Sequence, residues 1–381
     1  MKIAFLTPEY PHPLIGNSGG IGTSIWGLAH SLASLGNDVR VLVYGQTKDD
    51  IFSDSGVLIQ QIENVKFKGL SWFLTRKKIE SVINRLYSDR KIDLVEAPDW
   101  TGITSFIQTS CPIVIRLHGS DTYFCHLDNR PVKWFNRYHE KRALAMANGH
   151  ISVSQYTADT TNKLFGLKIP FKIIPNGVNA SLFFSKTEQN CEKPTILYFG
   201  TIIRKKGVLE LPSIFSAVVK QIPNAQLLLI GKDAPDLISG NSSTWALMAS
   251  EFSAEAKANV SLVGAVPYGN IVSEIQHATV CIFPSFAEAL PLAWLEAMAS
   301  KKAMVVSNIG WANEMLDDCK SAYLVNPRDH QLFASRIIEF IRNSERRQQF
   351  GDAAQKKILD VFDFSVVAHQ NIEFYNALLL K

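Results

Sequence analysis

The sequence predicts an α/β protein made of two doubly wound, Rossmann-like parallel-sheet domains. Three observations predict it. Short runs rich in Ile, Val and Leu recur with helix-length segments between them, the pattern of buried parallel strands joined by crossover helices. The alternation lapses once, in a polar stretch, and then restarts. At 381 residues the chain is also too long for one ordinary core, since domains average roughly 150 residues.

Taken in order, the first half contains strands at 2–7 (KIAFLT), 38–45 (DVRVLVYG), 92–98 (IDLVEAP), 112–119 (PIVIRLHG), 150–154 (HISVS) and 171–177 (FKIIPNG). Helices fill the intervals. The stretch 185–194 (SKTEQNCEKP) has no hydrophobic period and is the predicted linker. Strand 195–200 (TILYFG) opens the second half, followed by 225–231, 260–264, 279–285, 303–308 and 322–327. The domains are therefore expected at 1–185 and at 195–362. Residues 363–381 read as a C-terminal helix whose apolar positions Phe364, Val367, Ile372, Phe374, Tyr375 and Leu378 must pack on something; the N-terminal domain is the expected place. Open parallel sheets bind ligands outside the carboxyl ends of their strands, so a cleft between the halves is the expected active site.

Composition narrows the class. Hydrophobic residues are 46% and charged ones 19%, the usage of a folded globular chain. The 39 basic and 35 acidic residues leave only +4, too little to mark a nucleic-acid binder. Five scattered cysteines without a Cys-x-x-Cys pair fit reduced thiols. No apolar run reaches the roughly 18 to 20 residues of a membrane span, and prolines interrupt the start before a signal-peptide core could form. A cytoplasmic location is expected.

Four features could carry chemistry. The loop Gly16-Asn-Ser-Gly19-Gly20-Ile-Gly22 leads into an apolar helix, and such glycines let backbone amides approach an anion. It matches neither a dinucleotide fingerprint nor a P-loop. In SFAEALPLAWLEAMAS (285–300), Glu288 stands in the loop before a helix that Pro291 helps to start. Glu296 lies two turns along, roughly 8 to 12 Å at 1.5 Å per residue. Two carboxylates so spaced can grip two hydroxylated parts of one elongated ligand, with the backbone from Leu290 through Pro291 to Leu292 aimed at a phosphate between them. Third, Arg204-Lys205-Lys206-Gly207 projects cations over the strand ends, suited to a leaving diphosphate. Fourth, His118 closes a strand of the first sheet, with Asp121 three residues on.

These residues resemble a known family. The glycine loop, His118-Gly119, EKRALAMANGHISVS (140–154), PNGV (175–178), FGT…KKG (199–207) and above all Glu288-x7-Glu296 are similar to the retaining glycosyltransferases of family 4 (group 1), which have the GT-B fold. The marks run over nearly the whole chain in the expected order. The resemblance implies that Glu288 and His118 serve catalysis at the donor sugar, that Glu296 holds the nucleotide ribose, that Lys206 meets the diphosphate and that Gly264 lies beside the nucleobase. Gly19, Gly20, Leu290, Pro291 and Leu292 would complete the donor site. Thr201 stands where the family usually has a basic residue, and Arg204 is the local substitute.

The resemblance further implies a transferase that moves a sugar from a nucleoside-diphosphate sugar to a glycan or lipid-linked acceptor, in polysaccharide or glycolipid synthesis. No cofactor is expected. No metal is expected either: two aspartates are nowhere spaced as Asp-x-Asp and no His-x3-His occurs. The runners-up are a nucleotide-sugar epimerase or phosphorylase of the same fold, and a non-catalytic sugar-nucleotide sensor. The basic amphipathic stretch 70–91 reads as a surface helix packed on the first sheet, or as one lying on anionic lipid. Lys133 to Arg142 is a second basic helix, whose Trp134, Phe135 and Tyr138 could line an acceptor pocket.

Overall fold

The computed structural model describes residues 1–16, 18–184 and 193–380. Residues 185–192 of the predicted linker, Cys191 among them, lie outside the described residues. The chain forms two compact units, 1–177 with 364–381, and 178–363.

The first unit is built on an eight-stranded sheet of β1 (Lys2–Thr7), β2 (Asp38–Gln46), β3 (Asp50–Asp54), β4 (Val57–Glu63), β5 (Leu94–Pro98), β6 (Ile113–Leu117), β7 (Gly149–Ser152) and β8 (Lys172–Ile173). Its order is β3-β4-β2-β1-β5-β6-β7-β8, and all neighbours are parallel except the hairpin β3/β4. Helices α1 (Gly20–Ser34), α2 (Ser71–Ser88), α3 (Asp121–Leu127), α4 (Trp134–Met146) and α5 (Gln155–Phe165) connect the strands.

Strand alternation sorts the core. Ile3 and Phe5 of β1 pack with Ile25, Leu28 and Leu32 of α1 on one face, while Ala4 and Leu6 pack with Ile79, Val82, Ile83 and Leu86 of α2 on the other. Each of these side chains larger than alanine contributes about 1.5–3 kcal/mol by leaving water. The apolar positions Ile79, Val82, Ile83 and Leu86 of α2 are thus spent on the sheet. The hairpin β3/β4 was not expected from the sequence: Gln60 and Gln61 break the apolar run of β4. Its signal was the two-residue Ser55-Gly56 turn, both residues at positive φ.

The second unit has the six-stranded order β11-β10-β9-β12-β13-β14, with β9 (Thr195–Phe199), β10 (Gln226–Ile230), β11 (Val260–Gly264), β12 (Val280–Phe283), β13 (Met304–Ser307) and β14 (Tyr323–Val325). All are parallel. Around them lie α6 (Ala180–Phe183), α7 (Leu211–Val219), α8 (Thr244–Ala249), α9 (Ala254–Lys257), α10 (Tyr268–His277), α11 (Leu292–Ala299), α12 (Ala312–Met315), α13 (His330–Arg342) and α14 (Ser344–Lys357).

The unit boundary lies at Gly177/Val178, upstream of the expected 185, because the segment beyond it bonds to the second unit. The Val178 amide donates to the Phe362 carbonyl at 2.9 Å and that of Ala180 to Asp363 Oδ2 at 3.1 Å. Helix α15 (Phe364–Leu379) belongs to the first unit, where Val367, Ala368 and Tyr375 enter the core. Asn371 and Tyr375 of α15 reach a buried ion pair between Arg116 of β6 and Glu96 of β5, at 2.7 Å from Arg116 Nε to Glu96 Oε1. No described helix is long and apolar enough to cross a membrane.

Candidate active site

In each sheet the strand order reverses once, between β1 and β5 in the first unit and between β9 and β12 in the second. Crevices at such switch points are where open α/β sheets take ligands. The loops after β9 and β12 carry the basic cluster and Glu288.

Those two loops are stitched together by backbone. The Phe286 and Ala287 amides donate to the Lys205 carbonyl at 2.8 and 3.2 Å. Gly207, at φ +69°, closes the short 3₁₀ turn Arg204–Lys206, and a Cβ there would sit 1.8 Å from the Pro284 carbonyl oxygen. Only glycine permits both the left-handed backbone and that approach. The result sets Lys206 Nζ 2.7 Å from Glu288 Oε1, with Ser285 Oγ donating to the same oxygen at 3.3 Å. Glu288 is 8% exposed. The sequence assigned Lys206 to the diphosphate and Glu288 to the sugar; the fold makes them one ion pair.

Arg204, the expected substitute for the basic residue absent at Thr201, is committed elsewhere. Its guanidinium makes a fork-shaped pair with buried Asp236, at 2.8 and 2.7 Å, and it holds that carboxyl well below its ordinary range. Nothing in the sequence linked the two residues. Tyr198, unanticipated too, is buried on β9 and donates to the Thr201 carbonyl at 2.9 Å; burial and the neighbouring Glu288 push its phenol well above the ordinary value.

Helix α11 starts at Leu292, directly after Pro291, so Glu288 does precede the helix and Glu296 lies within it, 7% exposed. Pro291 has no N–H, which leaves the amides of Leu290 and Leu292 as the donors of that turn. Gly264 closes β11 and its carbonyl accepts the Gly231 amide at 2.9 Å. Among the described residues, no group of three or more His, Cys, Asp or Glu could hold a metal ion.

In the first unit, Gly19 caps α1 and Gly20 begins it. The carboxylate at this helix start is the protein's own: Glu9 Oε1 accepts the Gly22 amide at 3.0 Å. His118 follows β6, its amide donating to Asp99 Oδ1 at 2.9 Å. Burial, and then nearby Arg116, push the imidazole down to about 3, so it is neutral at physiological pH. Asp121 starts α3, and its amide and that of Thr122 donate to buried Glu140 at 2.9 and 3.2 Å.

Family models match both parts of the chain: "Glycosyltransferase Family 4" over residues 18–182 and "Glycosyl transferases group 1" over residues 180–357. The chain belongs to the group 1, family 4 glycosyltransferases. Among the relatives of this glycosyltransferase, an alpha-maltose-1-phosphate synthase of Mycolicibacterium smegmatis is 24% identical, covering 98% of this chain and 99% of that protein. The fold is GT-B. Sucrose-phosphate synthase of Thermosynechococcus elongatus superposes with a TM-score of 0.81 at 18% identity, over 100% of both chains. HepE of Anabaena, solved in complex with UDP-glucose, superposes with a TM-score of 0.76 at 18% identity, over 99% of this chain and 100% of that one.

Proposed function

We propose that this glycosyltransferase takes its sugar from a nucleoside-diphosphate donor seated on the loops after β9 and β12, and that it retains the anomeric configuration without a metal. The carrying observation is the Lys206–Glu288 pair at the switch point of the second unit. A buried carboxylate and a half-buried ammonium, already desolvated and bonded to each other, can exchange partners with an incoming ligand at little cost. Lys206 would turn to the diphosphate and Glu288 to the sugar hydroxyls. Glu296 would hold the ribose, the Leu290 and Leu292 amides the phosphate, and the turn at Gly264 the base. HepE's complex with UDP-glucose supports a donor of this class.

The chemistry follows from charge. Breaking the bond between anomeric carbon and phosphate puts positive charge on the sugar and negative charge on the diphosphate, and preorganised donors aimed at the latter lower the barrier most. Lys206 and the amides at the start of α11 supply them. Front-face attack, with the leaving phosphate taking the acceptor proton, needs no carboxylate base. Glu288 is therefore assigned to binding and orienting the sugar. Neutral His118 would accept or donate a hydrogen bond at that sugar, and the Gly19–Gly20 turn would approach the diphosphate once Glu9 gives way.

The acceptor is a glycan or lipid-linked sugar, for polysaccharide or glycolipid synthesis at the cytoplasmic side of a membrane. Support for peripheral contact comes from the solvent-exposed Phe67, Leu70, Trp134 and Tyr138 beside Lys66, Lys68, Lys133 and Arg137. The test is a panel of uridine, guanosine and adenosine diphosphate sugars, read by thermal shift and then by product analysis in excess chelator. An α-linked product from an α-linked donor with full activity is expected. An inverted product, or activity that magnesium alone restores, would reject the mechanism.

A further inference from the structure

Two buried carboxyl groups hold the loop that carries His118, and they are not equally satisfied. Glu140, on α4, accepts four hydrogen bonds: the amides of Thr101, Asp121 and Thr122, and the Thr122 hydroxyl. Asp99 directly follows β5, which borders the reversal of the first sheet. Its Oδ1 accepts the His118 amide, while Oδ2 is sealed from solvent and has no hydrogen-bond partner. Gly119 adopts φ +95°, and a Cβ there would lie 2.6 Å from the Phe124 ring, so the loop has little room to adjust.

Two neighbouring buried acids seldom ionise together, because each charge raises the cost of the other. Burial raises the Glu140 carboxyl as well, but its four donors pull against that rise, so of the two it holds the charge more readily. Asp99, with one oxygen bare, is built to hold a proton: a neutral unpartnered oxygen costs far less than an ionised one. We propose that Asp99 is a positioning residue for His118, its neutral carboxyl pinning the loop at the end of β6 and its ionisation releasing it. The charged groups around it agree. Glu140 faces it from α4 and opposes its ionisation, and burial raises the carboxyl to about 8 against the pull of the His118 and Gly119 amides. Arg116 of β6 is neutralised by Glu96. Arg76 of α2 donates to the Gly102 carbonyl at 3.3 Å rather than to Asp99.

Above the pH at which Asp99 ionises, a bare buried charge must find water, and the route open to it is to loosen the 118–122 loop. His118 then loses its fixed place, and turnover falls on the alkaline side. The inference needs the assignment of His118 to the donor sugar only for its effect on turnover.

The test uses the full chain without ligand. Amide chemical shifts of His118 and Gly119, followed by NMR from pH 6 to 10, are expected to move together with a midpoint near 8 and to stay flat in Asp99→Asn. Glu140→Gln, which removes the opposing charge, is expected to shift that midpoint to lower pH. In activity, the wild-type kcat/KM is expected to fall about tenfold per pH unit past the midpoint, and the Asp99→Asn profile to lack that limb. Flat wild-type shifts, or a titration that persists in Asp99→Asn, would overturn the proposal. Titrating amides in a protein that transfers sugar from no donor would uphold the Asp99 device and reject the reading of His118.

Discussion

The two units share a plan, a parallel sheet with one reversal of strand order, but use charge in opposite ways. Acids around the strand ends of the first unit are spent on the protein itself: Glu9 on the Gly22 amide, Asp99 on His118, and Glu140 of α4 on the start of α3. Deeper in, Arg116 and Glu96 close a network with Asn371 and Tyr375 of α15. In the second unit the strand-end pair, Lys206 and Glu288, is held by its ion pair, by the Ser285 hydroxyl and by backbone stitching of its loops. The difference teaches where binding energy is stored. Groups tied into networks of backbone amides and neighbouring side chains build shape, whereas an ion pair set at the strand ends can be traded for a ligand.

The contrast can be broken from either side. The largest effect is expected from Arg116→Ala, which strands Glu96 in the core; removing one partner of a buried pair typically costs about 3–5 kcal/mol. Denaturant unfolding should show that loss, and a variant as stable as the parent would mean the first unit's charges do not build shape. Next comes Lys206→Ala. Losing a preorganised cation at a developing diphosphate should lower kcat by about 10²–10³, with a smaller loss of stability than Arg116→Ala, since Glu288 is left buried without its cation but Lys206 itself is partly exposed. A collapse of stability at unchanged kcat would reverse the assignment.

Smaller and more selective is the split between the two glutamates. Glu296→Ala should weaken binding of the bare nucleotide by about 1–3 kcal/mol, while Glu288→Ala should impair turnover more than nucleotide affinity; calorimetry separates them, and equal, unchanged binding rejects the split. The smallest effect on turnover belongs to Arg204→Ala. Its removal leaves buried Asp236 without its cation, so about 1–3 kcal/mol of stability is expected to be lost. Its kcat should fall far less than that of Lys206→Ala, and a loss as large would return Arg204 to the diphosphate.

Linkage at Asp99 adds a stability signature. A carboxyl held protonated in the folded state stabilises fully at low pH, and that contribution is lost as pH rises toward its folded value of about 8. Melting temperature should therefore fall more steeply between about pH 4 and pH 8 in the wild type than in Asp99→Asn, with no further difference in slope above that window.

Much of this was legible in the chain because local chemistry dictated it. Apolar runs marked the strands on either side of both reversals, and Glu288-x7-Glu296 with Pro291 placed one acid before α11 and one within it. What was not legible depends on contacts distant in sequence. Arg204 meets Asp236 across a strand and a turn, Gly207 is fixed by Pro284, and Glu9 reaches Gly22 only after the loop closes on itself. Hairpin β3/β4 hid behind its glutamines. Asp99 carries no local signal, because the unmatched oxygen that distinguishes it exists only once β5, β6 and α4 have assembled.

The central claim is that Lys206 and Glu288 leave each other for the donor. The most direct measurement is a crystal structure with an unreactive nucleoside-diphosphate sugar. The account predicts Lys206 Nζ on the diphosphate and the Glu288 carboxylate on the sugar hydroxyls, with their mutual contact broken. A bound donor with the two side chains still paired to each other and turned from the ligand would contradict it.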